Sequence, residues 1–440
     1  MHRTVLLVAV VGLLLACDRV LPEGVPPSRT QGNEPERGLS VAEGFVKWWW
    51  YSDPEEEGII ITSPVVRFEG DEEIAYAGAD YPNKLFGFAM DTQHPSIVFE
   101  GLPVNPLEEN VFEGHGSWCE LTGHLLIGNE DGELYAFNTN GVLAWRFPGV
   151  HPDSMLGGEW GAAAVRGNLI YIANHSDTLF LLRDLGSSVR LEAVRYIPGI
   201  GEGCIVDDYG YCYVANDSGD LYKLSPDLGQ VVWRARLAQP NPLYFLNMPV
   251  LDRSDRVFVG DCCGRVHARS TVDGSWLWTA ALTGDVYRLV VGSEAVFAVT
   301  AAGWVYSLNP ATGDVNWATQ VSHAGEFISS PLLTDGGMLI CQDDNDFVYC
   351  LRRDNGLVVW WLDCQSQGPN RQDAGVPRPR RGRDFDRLEA SLSITSRGDL
   401  LVVGEDAFYC VTGFPLDGLD TEAPWPKWQR DAANSGWLGF

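Results

Sequence analysis

Cysteines are the residues of this sequence with the widest chemical capacity, because a thiol can form a disulfide, bind a metal or act as a nucleophile. The sequence has ten cysteines, and two pairs of them flank a short turn. One pair is Cys204 and Cys212, and the other is Cys341 and Cys350, which lie symmetrically about residues 345–346. We expect each pair either to form a disulfide across a hairpin or to remain as small buried apolar side chains.

Other patterns that carry chemistry are missing from the sequence. It contains no Gly-x-Ser-x-Gly elbow, no His-Glu-x-x-His pair and no phosphate-binding Gly loop. The acidic stretch Asp343–Asp346 has the oxygen atoms that calcium prefers. A solvated hairpin turn explains the same stretch more simply, so we predict no metal and no catalytic residue.

The charge balance argues against nucleic acid as a partner. The sequence has 31 basic and 59 acidic residues and a net charge of −28, whereas binding to phosphates needs clustered cations. Residues 365–387 are the exception, with three prolines, six arginines and three aspartates. Because long irregular insertions often carry function, we take four of the arginines as candidate interaction residues. These are Arg378, Arg380, Arg381 and Arg383.

The N-terminus has the features of a secretory signal. A basic start precedes the apolar run Val5–Ala16, which as a helix spans only ~18 Å and cannot cross the ~30 Å core of a bilayer. Leu14–Cys17 resembles the bacterial lipobox, whose cysteine is acylated after cleavage. We therefore expect residues 1–16 to be a lipoprotein signal peptide, Cys17 to anchor the chain in a lipid bilayer, and residues 17–43 to form a flexible Pro-rich tether.

This N-terminus predicts a lipid-anchored location in the bacterial cell envelope, on the periplasmic or surface side. The lipobox does not decide between the inner and the outer membrane. We expect the partners in that compartment to be other envelope proteins, together with the bilayer itself.

One unit recurs along residues 44–440 about every 46 residues. It consists of an Asp-, Asn- or Gly-rich turn, an apolar-aromatic pair, a Gly and a Trp, as in Asn216–Tyr222 with Gly229 and Trp233. In the copy at 327–361 the pattern predicts four short strands joined by three turns. Eight copies predict an all-β fold, an eight-bladed β-propeller of four-stranded antiparallel blades, with Trp side chains filling the wedges between blades.

The turn, the Leu-Tyr-x-Leu strand and the Gly…Trp ending resemble the pyrroloquinoline-quinone-type (PQQ-like) propeller repeat, and Asn309–Trp317 matches it best. The resemblance covers residues 44–440. Together with the lipobox, it makes the chain similar to the propeller lipoproteins of the outer-membrane barrel-assembly machinery. Trp425–Asp431 is similar to a segment that often flanks such repeats. Because a propeller ring must close, we expect the strand Phe45–Tyr51 to complete the last blade.

The resemblance leaves three functions open. A non-catalytic, membrane-anchored lipoprotein that acts as a protein-interaction scaffold is the one we favour. The second is a PQQ-dependent oxidoreductase. In such enzymes two adjacent cysteines form a disulfide ring against the quinone, and Cys262 and Cys263 would be that pair, with calcium beside them. The sequence has no recognisable calcium-ligand set for this role, so we predict no cofactor. The third is a propeller that binds carbohydrate or another small ligand.

The turns between the second and third strands of the units are acidic and share one face with the connections between blades. We expect them to form an acidic ring, with the Arg-rich insertion, itself such a connection, lying over it. The residues of the expected ring are Glu130, Asp131, Asp177, Asp217, Asp220, Asp261, Asp343, Asp344, Asp346, Glu405 and Asp406.

Overall fold

The chain forms a ring of eight four-stranded antiparallel sheets in the computed structural model. The structure describes residues 44–50, 60–79, 84–102, 112, 115–129, 132–148, 161–174, 176–200, 203–237, 247–321, 325–327, 329–367, 390–404, 407–414, 416–427, 429–431, 434–436 and 438. The expected signal peptide, Cys17 and the expected tether lie outside these residues. In the described part of the chain no helix is long and apolar enough to cross a membrane. The predicted eight-bladed propeller is confirmed.

The strands follow one another from the centre of the ring outward in blades 1 to 7. The first strand of the chain, β1 (Phe45–Trp50), belongs to blade 8. Blade 1 contains β2 (Val65–Glu69), β3 (Glu72–Ala79), β4 (Lys84–Ala89) and β5 (Ile97–Gly101). Blade 2 contains β6 (Ser117–Cys119), β7 (His124–Gly128), β8 (Leu134–Phe137) and β9 (Leu143–Phe147). Blade 3 contains β10 (Ala164–Arg166), β11 (Leu169–Asn174), β12 (Thr178–Asp184) and β13 (Val189–Tyr196).

The remaining blades repeat the arrangement. Blade 4 contains β14 (Ile205–Val206), β15 (Cys212–Ala215), β16 (Asp220–Leu224) and β17 (Val231–Arg236). Blade 5 contains β18 (Val250–Leu251), β19 (Arg256–Gly260), β20 (Arg265–Ser270) and β21 (Trp276–Ala281). Blade 6 contains β22 (Val286–Val291), β23 (Val296–Thr300), β24 (Trp304–Leu308) and β25 (Val315–Gln320). Blade 7 contains β26 (Leu332–Leu333), β27 (Met338–Gln342), β28 (Phe347–Arg352) and β29 (Val358–Asp363), followed by the short helix α1 (Cys364–Gln367). Blade 8 contains β30 (Ser393–Ile394), β31 (Leu400–Val403) and β32 (Phe408–Thr412).

Blade 8 is completed by the N-terminal strand, as expected. Strand β1 pairs antiparallel with β32, from Phe45 opposite Thr412 to Trp50 opposite Phe408. Trp48 of β1 is buried between blades, with its ring 5.8 Å from that of Phe408. The two ends of the propeller are therefore joined by main-chain hydrogen bonds and by aromatic packing.

The innermost strands are shorter than the sequence pattern suggests. The expected strand Phe327–Leu333 is reduced to Leu332–Leu333. Pro331 has no N–H to donate to a ladder, and the Ser330 N–H donates instead to Ser391 Oγ of the next blade (3.0 Å). Near the centre of the ring, a bond between blades thus replaces a bond within the blade.

The outer-strand residues Trp233, Trp278 and Trp317 are each held by the last turn of the following blade. Trp278 of blade 5 donates through Nε1 to Pro310 O of blade 6 (3.0 Å). The indole of Trp278 also lies directly against Gly313 of the same turn, where an added Cβ would be 2.6 Å from Cε3. Two further contacts repeat this arrangement, Trp233 with Thr271 O and Gly274, and Trp317 with Arg353 O and Gly356. The expectation that Trp side chains fill the wedges between blades is confirmed.

We predict that Gly313→Ala destabilises the ring more than Gly337→Ala. Both glycines have φ of +77°, so both substitutions carry the same left-handed penalty of roughly 1–2 kcal/mol. A Cβ at 337 meets nothing within 4 Å, whereas a Cβ at 313 overlaps the Trp278 indole. The free energy of unfolding in urea should therefore fall by about 1–3 kcal/mol more for Gly313→Ala. Equal losses for the two variants would show that the indole contact does not hold the blades together.

Candidate functional site

The ring has two faces that carry different turns. Turns between second and third strands lie on one face together with the connections between blades, and we call this the connector face. Turns between first and second and between third and fourth strands lie on the other, the hairpin face. The Arg-rich insertion leaves blade 7 on the connector face, where Gln365 Nε2 donates to Asp346 Oδ2 (3.2 Å). Its four candidate residues, Arg378, Arg380, Arg381 and Arg383, lie outside the described residues, so their role stays a prediction.

The acidic turns of the connector face are largely buried. Asp343 Oδ1 accepts hydrogen bonds from the N–H groups of Asn345 and Phe347 (both 3.0 Å), and its Oδ2 accepts from the Tyr349 hydroxyl (3.0 Å). Burial raises the pKa of this carboxyl, while the backbone donors act in the opposite direction. The members of the expected ring that are at most 2% exposed are Asp220, Asp261, Asp343 and Asp346.

The expectation of an exposed acidic ring is therefore wrong at these four positions. A carboxylate that accepts bonds from its own turn and from the next strand cannot also face the solvent. Asp217 remains exposed. Four members of the expected ring lie outside the described residues, namely Glu130, Asp131, Glu405 and Asp406.

Cys262 and Cys263 lie in the tight turn between β19 and β20, and both side chains are half-buried. The carboxylate of this turn belongs to Asp261, whose Oδ1 accepts from the Cys263 N–H (2.9 Å). Its Oδ2 lies 2.8 Å from Arg265 Nε and 2.9 Å from His267 Nε2. Across the described ranges no group of three or more His, Cys, Asp or Glu residues could hold a metal ion. The residues around the two thiols therefore do not fit a quinone that is bound through calcium.

Cys341 and Cys350 do not form the disulfide that was considered for them. In the ladder of β27 and β28, Cys341 is opposite Tyr349 and Cys350 is opposite Ile340. Because neighbouring residues of a strand point to opposite faces of a sheet, the two thiols lie on opposite sides of blade 7. A disulfide between them would need the strands to slip by one residue, which would turn a buried face outward.

Cys204 and Cys212 lie on the same face of blade 4. Cys212 is opposite Val206, and Cys204 precedes Val206 by two residues, which returns its side chain to that face. Both thiols are buried in one apolar cluster. Burial raises the pKa of the Cys212 thiol well above its ordinary value, and a hydrogen bond with Cys204 adds to this. Both are free thiols in the structure, and the disulfide between them stays a prediction.

The described residues of the C-terminal segment (416–427, 429–431, 434–436 and 438) lie at the inner ends of the blades, in the central channel. Trp425 is fully buried and exchanges two backbone hydrogen bonds with Val291 of blade 6 (2.7 and 2.9 Å). Asn434 Nδ2 donates to Gly116 O at the start of blade 2 (3.0 Å). Further bonds reach the inner ends of other blades, at Ser63, Val165, Val206, Met248 and Leu333. Residues of this one segment thus contact seven of the eight blades.

Two basic side chains lie beside this segment, Lys427 buried and His115 half-buried. Lys427 Nζ donates to Asn434 Oδ1 and to Asp431 O, and burial lowers its pKa to about 8 while the Asp431 carboxylate opposes the change. Burial, with smaller contributions from Arg288 and Lys427, lowers the pKa of His115 to about 3. The imidazole is therefore neutral at pH 7, and its Nδ1 accepts a bond from the Ser63 N–H (3.3 Å). The sequence motif around Trp425 signalled this segment, but not its place in the channel.

We predict that Lys427 makes stability depend on alkaline pH. Its pKa falls from 10.5 to about 8 on folding, so the folded chain binds fewer protons between these values. Raising the pH through this window therefore favours folding. The free energy of unfolding should rise more from pH 8 to pH 10.5 in the unmodified chain than in Lys427→Met, by up to about 3 kcal/mol. If urea titrations give the same change in the free energy of unfolding with pH for the unmodified chain and for Lys427→Met, the lowered pKa of Lys427 is contradicted.

A cleft of about 560 Å³ opens on the hairpin face between blades 6 and 7. Trp317, Arg352 and Arg353 are among its lining residues. Arg352 pairs with Asp354 and Arg353 pairs with Asp420, so these cations are already neutralised. Of these properties, only the volume of the cleft favours binding of a small ligand.

Comparison with known proteins gives one consistent result. A family model described as Outer membrane protein assembly factor BamB matches residues 217–411. The curated protein of that name from Yersinia pestis is 20% identical over 242 residues, 54% of this chain and 50% of its own length. Its counterpart from Shewanella oneidensis is 24% identical over 259 residues, 54% of this chain and 64% of its own length. The match therefore spans between half and two thirds of these relatives.

Solved structures agree on the fold. The crystal structure of BamB from Moraxella catarrhalis superposes with a TM-score of 0.57 at 15% identity, covering 83% of this chain and all of that one. The C-terminal WD40 domain of Sif2 gives 0.61 at 13% identity, with 84% and 100% covered. At such identities the superpositions show the propeller fold alone. Together with the matched repeats, they identify this chain as a PQQ-like propeller that resembles outer membrane protein assembly factor BamB.

Proposed function

We propose that this chain is a non-catalytic scaffold of the bacterial cell envelope that binds proteins engaged in outer-membrane assembly. The observation that carries the proposal is the match of residues 217–411 to the BamB model. The filled channel supports it, because Trp425 and its neighbours contact the inner ends of seven blades. Binding then has to use the two faces and the outer rim, which together present a broad surface of the kind that serves protein partners.

The anchoring part of the proposal rests on the lipobox. Acylation of Cys17 would fix the N-terminus in a bilayer, since several acyl chains together give stable attachment. Residues 17–43 would then separate the propeller from that bilayer. For the Arg-rich insertion we propose a place over the connector face, held by weak, salt-sensitive attraction to the acidic groups exposed there.

We predict that Cys17→Ala releases the chain from the membrane fraction or leaves its signal peptide uncleaved. Without a thiol at this position no thioether to a lipid can form. Fractionation of cells, together with labelling by radioactive palmitate, would measure both effects. A Cys17→Ala variant that still carries the label would contradict the lipobox.

The scaffold function is tested by affinity purification of the tagged chain from detergent-solubilised envelope, followed by mass spectrometry. We expect outer-membrane assembly proteins among the retained partners of the intact chain. A suitable control is the Gly313→Ala variant, in which a destabilised ring should retain less of the same partners. Equal recovery from cells that lack the tagged chain would contradict the proposal.

The alternative oxidoreductase function gives a separate prediction. Incubation of the purified chain with PQQ and calcium should give no dye-linked oxidation of alcohols or sugars. The Asp261 carboxylate, the oxygen donor of the turn at Cys262 and Cys263, is already bonded within that turn and to Arg265. Turnover that is lost in Cys262→Ser would establish the oxidoreductase in place of the scaffold.

A further inference from the structure

The outermost strand of each blade has one free edge. Unpaired N–H and C=O groups along such an edge can pair with a further strand, and proteins commonly prevent this with charged residues. Six of the eight outermost strands follow this rule in the described chain. They are β1, β5, β9, β13, β17 and β29, with the charged residues Lys47, Glu100, Arg146, Arg190, Arg234 and Asp363.

Strand β21 of blade 5 departs from the rule. Its sequence is Trp-Leu-Trp-Thr-Ala-Ala, without a charged residue. Strand β25 also lacks charges, but it carries the exposed polar residues Asn316 and Gln320. On β21 the exposed residues include Trp276 (62% exposed) and Leu277 (36%), and Val272 (68%) lies in the turn just before them. This edge is therefore both open to pairing and apolar.

A cation without a counter-charge lies beside the edge. Arg269 of β20 is directly opposite Trp276 in the ladder, so both side chains are on one face of blade 5. Arg269 Nη2 donates to Arg236 O of blade 4 (3.3 Å). Its Nε is buried without a hydrogen-bond partner, and no described carboxylate forms a salt bridge with it. Burial lowers the pKa of this guanidinium.

The other arginines of this rim differ from Arg269. Arg265 lies 2.8 Å from the Asp261 carboxylate, and Arg234 lies 2.5 Å from that of Asp220. Arg236 is also paired with Asp220. In a chain with a net charge of −28, a half-buried guanidinium without a described carboxylate partner is a specific attraction point for an acidic group.

We propose that the free edge of β21 binds an extended segment of a partner protein, which adds a fifth strand to blade 5 and places a carboxylate on Arg269. Main-chain hydrogen bonds would provide the affinity, and alternate side chains of the added strand would provide the specificity. The apolar ones would pack on Trp276 and Val272. That the partner is an envelope protein follows from the proposed scaffold function, and this part of the inference rests on it.

The geometry allows the acidic contact. The added strand would lie two strand spacings from β20, about 10 Å, which an arginine and a glutamate side chain can span together. A second copy of this chain is a poorer occupant. Edge-to-edge pairing of two β21 strands would bring no carboxylate to either Arg269, because β21 itself carries no charged residue.

The test uses two synthetic ten-residue peptides that alternate Val and Thr. One has Glu at two of the Thr positions, and the other has Lys at the same positions. Fluorescence anisotropy with the full chain in detergent should show that the Glu peptide binds at least tenfold more tightly. Overall charge alone predicts the reverse order, because the chain is strongly acidic. Arg269→Gln should remove the preference for the Glu peptide.

Leu277→Lys supplies the charge that β21 lacks and should abolish binding of both peptides. Val194→Lys is the matched control, because Val194 is an exposed apolar residue (51%) on β13, an edge that already has charges. It should bind the Glu peptide as the unmodified chain does. Circular dichroism verifies that each variant is folded.

Three outcomes would overturn the inference. The first is tighter binding of the Lys peptide, and the second is equal loss of binding in Val194→Lys and Leu277→Lys. The third is self-association of the unmodified chain in sedimentation that Leu277→Lys abolishes.

If peptide binding fails while the chain and Leu277→Lys retain the same envelope proteins, the scaffold function stands and this surface is refuted. If the Glu peptide binds but no envelope protein is retained, the edge is supported and the scaffold function fails.

Discussion

The ring depends on the contact between an indole and a glycine of the next blade. Gly313 is in contact with Trp278 of blade 5, while Trp317 of the same repeat is in contact with Gly356 of blade 7. The Gly and the Trp that recur together in one repeat therefore take part in two different contacts. Positive φ lets the glycine backbone approach the ring, and a carbonyl of the same turn accepts the indole N–H. One short pattern thereby fixes blades 5 and 6 to both of their neighbours.

Two other contacts between blades use polar groups in place of the indole–glycine contact. Trp145 of blade 2 donates to the side chain of Asp184 in blade 3 (2.9 Å), and the same carboxylate accepts bonds from Thr122 and His124. Blade 3 has no Trp in its outer strand, and there Arg195 donates to two backbone carbonyls in the last turn of blade 4. The position of the contact is retained while its chemistry changes. A degenerate repeat is therefore still a complete blade.

Sequence reasoning predicted the features that depend on local patterns. The turns and the strand spacing of the repeat follow from short apolar strands and from glycine turns. The closing strand, expected at Phe45–Tyr51 and found at Phe45–Trp50, follows from the requirement that a propeller ring must close. The features that it missed depend on register or on the closed ring. One residue of register decides that Cys341 and Cys350 face opposite sides. Asp343 is buried, and it accepts a hydrogen bond from Tyr349 on the strand that follows the turn. The uncharged outer strand at Trp276 was visible in the sequence, but only a comparison of all outer strands reveals it.

The C-terminal segment has a consequence for the order of folding. Asn434 bonds to Gly116, 318 residues earlier, and β1 pairs with a strand near the other end of the chain. Contacts of such sequence separation form slowly, because a long loop must close before they stabilise anything. Blades made early therefore expose their channel-lining surfaces until residues 416–438 arrive, and a partly emerged chain cannot close the ring. We expect a folding chain of this kind to need protection from aggregation until its last blade is made.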